Sequence, residues 1–74
     1  MSHLRFQFGR RLRQLRRRQD LTQEQLAEAA SISVEFLSNI ERGVNAPSFD
    51  TLERLATILR VEVVELFNFV ELPR

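Results

Sequence analysis

Leu21 to Gly43 reads LTQEQLAEAASISVEFLSNIERG, and the order of polar and apolar residues in it decides the fold. Thr22 and Gln25 stand three residues apart just ahead of an apolar position. That spacing lets the Thr22 hydroxyl cap a helix while Gln25 reaches back to the Thr22 backbone. A helix is therefore predicted to start at Gln23 and end near Ala30, with Leu26, Ala27 and Ala30 on one side. Its two small alanines let another helix approach closely. Ser31-Ile32-Ser33 breaks the pattern, and Ser33 is the expected N-cap of a further helix running to Arg42. Gly43 follows, suited to the left-handed position just past a helix end. At 100° per residue, Phe36, Leu37 and Ile40 share one face of this helix, while Val34, Glu35, Ser38, Asn39 and Arg42 spread over the other.

The flanking sequence is helical too. Leu4, Phe8, Leu12 and Leu15 recur at spacings of four, four and three, which predicts one buried stripe on a first helix ending about Arg18. Val44-Asn45-Ala46-Pro47 reads as a loop. Ser48 caps a fourth helix whose Leu52, Leu55, Ala56 and Leu59 face inward, and a last short helix is expected from Glu62 to Phe67. No segment alternates as a half-buried strand does, and there is no internal repeat. The fold class expected is all-α, a compact bundle of five short helices, of which the central two are joined by a tight turn.

Composition narrows the function. The 74 residues suffice for one domain, 43% hydrophobic and 28% charged, as in ordinary globular chains. With no Cys and one His, His3, the chain offers neither a disulfide nor a set of metal ligands, so no metal or cofactor is expected. With no Gly-rich phosphate loop either, an enzyme is not expected. No apolar run approaches the roughly 20 residues that span a bilayer, and no signal-peptide core is present, so the expected location is cytoplasmic. Charge is unevenly spread. Residues 1 to 18 hold seven Arg and no acid, a net +7, while residues 19 to 74 set four Arg against ten acids, a net −6. Every basic residue is Arg, the side chain shaped for bidentate phosphate and guanine contacts.

Taken together, Leu21 to Ala27, Phe36 to Gly43, Pro47-Ser48 and Leu52 to Phe67 resemble the Cro and phage-repressor (XRE-type) helix-turn-helix family, continuously over residues 8 to 67. The resemblance implies a lambda-repressor-like domain that binds double-stranded DNA sequence-specifically and regulates transcription, with the third helix in the major groove. It places Val34, Glu35, Ser38 and Asn39 at base-contacting positions. Thr22, Gln23, Ser33, Arg42, Asn45 and Ser48 fall on the phosphate backbone, the starts of helices 2 and 4 each offering backbone N–H groups to a phosphate. Arg16 and Glu41 occupy positions that the family often joins by a partly buried ion pair. The chain departs from the family at three usual glycine positions, occupied here by Asp20, Ser31 and Arg60, so the turn around Ser31 is one whose geometry could differ.

Residues 63 to 72 carry seven apolar side chains in ten positions, more than one short helix can bury. Val64, Phe67, Phe69 and Leu72 are accordingly expected to face a second copy, with residues 68 to 74 as a dimerisation extension of a single domain. The alternative is that Phe67 and Phe69 fold back onto helices 1 and 4. A protein-binding module such as an antitoxin or adaptor is the second functional expectation, ranked lower because no toxin-wrapping tail is expected beyond Arg74. No sensory domain or small-molecule effector is expected.

Overall fold

The computed structural model describes residues 3–72, apart from the Glu71 side chain. The chain forms four α-helices: α1 (His3–Arg18), α2 (Gln23–Ala29), α3 (Val34–Glu41) and α4 (Phe49–Leu59). Among the described residues there is no strand, and no helix is long and apolar enough to cross a membrane. One core joins all four helices. Phe8, Leu12 and Leu15 of α1 meet Leu26 and Ala27 of α2, Leu37 and Ile40 of α3, and Leu52, Leu55, Ala56 and Leu59 of α4. Each fully buried Leu or Ile contributes about 1.5–3 kcal/mol against exposure. Leu4, expected on the buried stripe, is 54% exposed, because the first turn of α1 projects beyond the helices that cover the rest of it.

The expected fifth α-helix takes a different form. Val63–Phe67 and Phe69–Glu71 are two 3-10 segments, separated by Asn68 in an extended conformation. Glu62 supplies no side-chain cap, and Val63 and Val64 are β-branched, which weakens a helix start. The Glu65 carbonyl is also drawn aside, accepting from Arg11 Nε at 2.8 Å. Leu66 anchors the segment, fully buried in the core.

All four α-helices end in one way. Asp20, Ser31, Gly43 and Arg60 each adopt a left-handed φ, between 57° and 79°. The N–H of the following residue then bonds the carbonyl five residues back: Leu21 to Arg16 at 3.2 Å, Ile32 to Ala27 at 3.0 Å, Val44 to Asn39 at 2.9 Å and Val61 to Ala56 at 3.0 Å. This is the Schellman arrangement, which satisfies carbonyls that a helix end leaves unpaired. The turn at Ser31 therefore keeps the left-handed geometry despite lacking glycine. Leu21, Ile32 and Val61, each just after a strained non-glycine residue, pack against the core. Burial of that next side chain offsets the strain. Val44 stays 52% exposed and gains little, and glycine stands at that end. A Cβ on Gly43 would also come within 2.9 Å of the Phe6 Cα. Gly9 has a separate reason: a Cβ there would collide with the Ile40 and Glu41 carbonyl oxygens, so its absence lets α1 and α3 cross in contact.

Candidate nucleic-acid interface

Three hydroxyls fix where the helices begin. Thr22 accepts from the Gln25 N–H at 3.1 Å while the Gln25 side chain accepts from the Thr22 N–H at 2.9 Å, a complete capping box. Ser33 accepts from the Phe36 N–H at 2.9 Å, and Ser48 from the Thr51 N–H at 3.2 Å. Thr22 and Ser33 cap with their oxygens and remain exposed, which leaves their O–H groups able to donate outward.

The orientation of α3 is set from behind by a charged triad. Arg16 Nε donates to Glu41 Oε2 at 2.7 Å and Arg16 Nη2 to Glu41 Oε1 at 3.1 Å, a bidentate pair. Their side chains are 10% and 3% exposed. Arg16 Nη1 also donates to the Leu21 carbonyl at 2.8 Å, and Gln23 Nε2 to Glu41 Oε1 at 3.1 Å. The end of α1, the start of α2 and the end of α3 are thereby tied at one point. Arg54 makes a second tie from α4, donating from Nε to the Ala30 carbonyl at 2.8 Å and from Nη2 to the Thr51 hydroxyl at 3.2 Å.

On the outer face of α3, Val34 and Glu35 are exposed, while Ser38 and Asn39 are half-buried. Arg42 Nη2 donates to Asn39 Oδ1. That bond orients the amide so that its NH2 donors and a second lone pair on Oδ1 remain for another partner. A cleft of about 460 Å³ brings Thr22, Gln23, Ser38 and Arg42 together, with Arg16 and Glu41 among its walls. Arg13 and Glu24 complete its lining. Asn45 lies elsewhere: it lines an apolar cavity of about 140 Å³ with Leu4, Pro47 and Phe67. Ser33, Val34, Glu35 and Ser48 line neither.

Two arginines take roles that their local sequence does not signal: Arg54 ties α4 to the end of α2, and Arg11, within the basic first 18 residues, is 1% exposed. No local pattern marks the long-range partners, the Ala30 carbonyl for Arg54 and Glu65 for Arg11, which lie 24 and 54 positions away. In the C-terminal segment, Val64 and Phe67 are exposed, with Val63 and Val70 beside them in sequence and likewise exposed. Phe69 and Leu72 are half-buried, Phe69 packing against the core. The rings of Phe67 and Phe8 are 5.1 Å apart, and those of Phe67 and Phe69 6.3 Å. Pro73 and Arg74, the end of the expected dimerisation extension, lie outside the described residues.

Residues 7–67, most of the chain and all of the capped helices, match the model of a helix-turn-helix domain. The chain belongs to the XRE and phage-repressor type of the helix-turn-helix family. It is 44% identical over 61 residues to the HTH-type transcriptional regulator DdrOP3 of Deinococcus deserti, covering 82% of this chain and 47% of that protein. Over 69 residues it is 32% identical to the control protein C.BamHI of Bacillus amyloliquefaciens, covering 92% of this chain and 85% of the relative. Among solved structures, the restriction-modification controller protein C.AhdI of Aeromonas hydrophila superposes with a TM-score of 0.82 at 38% identity, over 85% of this chain and 96% of that one. This helix-turn-helix chain thus spans under half of DdrOP3 but 85% of C.BamHI and 96% of the C.AhdI chain.

Proposed function

We propose that the protein regulates transcription by binding duplex DNA sequence-specifically, as a homodimer on a roughly palindromic site, with α3 in the major groove. The observation that carries this reading is the outer face of α3, four small or polar side chains on a helix held rigidly by the Arg16–Glu41–Gln23 triad. The major groove admits one helix and presents a distinct donor and acceptor pattern for each base pair. Asn39, with its amide preset by Arg42, suits an adenine edge. Glu35 accepts from cytosine N4 and repels sites that lack such a donor. Ser38 and Val34 add a hydroxyl and a methyl contact, while Thr22, Gln23, Ser33, Arg42, Asn45 and Ser48 position the domain on phosphates. The relatives' names, transcriptional regulator and restriction-modification controller, support the same reading.

The dimer rests on exposed apolar surface near the C-terminus. Val64 is 71% and Val70 93% exposed, with Phe67 and Val63 also open to solvent. Two copies related by a two-fold axis would present two α3 helices to successive major grooves about 34 Å apart.

Selection of bound sequences from a random duplex pool tests both parts, because it yields the half-site and its symmetry together. Asn39→Ala and Glu35→Ala are each expected to change preference at one or two base pairs by about 1–3 kcal/mol, whereas Gln23→Ala weakens all sequences alike. Unchanged preference in both α3 variants would place the reading surface elsewhere. Sedimentation equilibrium that finds a monomer, unaffected by Val64→Asp, would remove the dimer.

A further inference from the structure

Arg13 and Arg17 lie four residues apart on α1, so their side chains are neighbours on one face of the helix. Both are exposed, and neither makes an ion pair or hydrogen bond among the described residues. Two like charges at this spacing repel, and among the described residues no acid comes within ion-pair distance of either, although Glu24 and Glu41 share a cleft with Arg13. Three other arginines of α1 are placed differently. Arg16 and Arg11 are buried and paired with Glu41 and Glu65, and Arg10 sits 5.6 Å over the Phe6 ring.

Arg13 also lines the cleft that Ser38 of α3 and Arg42, at its C-terminal end, share. A duplex met by the outer face of α3 therefore passes with its backbone along this cleft, and Arg17 stands one helical turn, about 6 Å, beyond Arg13. Two arginines one turn apart are thus spaced to meet neighbouring phosphates of one strand, whose path winds around the duplex axis. We propose that Arg13 and Arg17 form a second phosphate-binding surface, which holds the DNA backbone flanking the base pairs met by α3 and extends the footprint along α1. This inference rests on the reading of α3 as the DNA-contacting helix, and it assigns to α1 a role beyond carrying the core and the triad. Glu24, exposed at the same cleft, opposes the phosphate and sets a limit on the attraction.

The test is fluorescence anisotropy with a selected site and a scrambled duplex of equal length, at salt concentrations from 50 to 200 mM. Arg13→Gln and Arg17→Gln keep good helix formers at exposed positions. Each is expected to reduce the slope of log affinity against log salt by about 0.9, and the double variant by about 1.8, equally on both duplexes. Across that salt range each lost contact corresponds to about a 3.5-fold smaller change in affinity. Glu24→Gln is expected to tighten both complexes. Arg60→Gln, which removes the same charge at the far end of α4, should leave the slope unchanged. Thermal melting of each variant identifies any loss that comes from unfolding, and binding is then compared below the lower melting temperature. Slopes for Arg13→Gln and Arg17→Gln that match Arg60→Gln would overturn the inference. If Asn39→Ala still alters base preference in that case, the reading of α3 stands without it. Failure of the parent protein to bind either duplex would instead remove both.

Discussion

Residues 22 to 42 and residues 62 to 72 are each tied to α1 by a buried arginine, yet the two attachments differ in kind. Arg16 meets Glu41 where both side chains are nearly closed to solvent, and Gln23 joins the same carboxylate. Arg11 is just as buried, but its acid partner Glu65 is 46% exposed, and its shorter bond is to a backbone carbonyl. Hydroxyl caps start both helices of the first region, whereas Glu62 begins the second with no side-chain cap. Hydrogen bonds constrain both distance and angle, and so fix the orientation of a helix. Burial of Leu66 and stacking of Phe67 on Phe8 hold a segment in place with much less control over its orientation. The chain has concentrated its directional bonds where α3 is aimed, and left the C-terminal segment with an apolar outer surface.

The sharpest way to break this contrast is to neutralise one acid in each region. Glu41→Gln leaves Arg16 buried without its counter-charge and is expected to cost about 3–5 kcal/mol in chemical denaturation. Glu65→Gln keeps the carbonyl bond to Arg11 and removes a charge that water already screens, so its cost is expected below about 1 kcal/mol. Equal losses would mean that the two regions are held alike. Replacing Arg16 and Glu41 together by Met and Leu should be less damaging than Glu41→Gln alone, since no unpaired charge remains.

A smaller effect separates the helix starts. Ser33→Ala removes the cap of α3 and is expected to cost about 1 kcal/mol. Glu62→Ala removes no cap bond and should fall within about 0.5 kcal/mol of the parent. A Glu62→Ala loss as large as that of Ser33→Ala would show that the C-terminal segment depends on a polar start after all.

The smallest expected change is a gain. Ser31 holds a φ of 60°, and left-handed backbone costs a non-glycine residue about 1–2 kcal/mol. Ser31→Gly relieves it but loosens the unfolded chain by about 0.4–1 kcal/mol, leaving about 0.5 kcal/mol of net stabilisation. Arg60→Gly should behave likewise, and a higher melting temperature for both is the result expected. No gain at Ser31 would indicate that the helix-turn-helix turn is already relaxed around serine.

Local chemistry made much of the molecule legible in advance. The three-residue spacings Thr22–Gln25, Ser33–Phe36 and Ser48–Thr51 mark helix starts because a cap bond closes over one turn, and α2 and α3 end within one residue of the expected points. The stripe Phe8, Leu12, Leu15 and the face Leu37, Ile40 follow from the helical repeat alone. The same locality explains what sequence could not supply. Whether an arginine of α1 is buried depends on an acid or a carbonyl brought near from 25 or 54 positions away, so Arg11 and Arg13, two residues apart, read alike and lie in opposite surroundings. Arg54 gains its partner at Ala30 only when α4 packs beside the end of α2. Between residues 62 and 72 no regular period exists to sort side chains, and packing against Phe67 and the core turned Phe69 inward while Val64 and Val70 stayed outside. The sequence alone determined the helices, their caps and the polar face of α3, since each is settled within one or two helical turns. Only the tertiary structure decided that Arg11 is buried while Arg13 is exposed, and that Asp20, Ser31 and Arg60 hold a left-handed φ without glycine, because each depends on a neighbour that folding brings into contact.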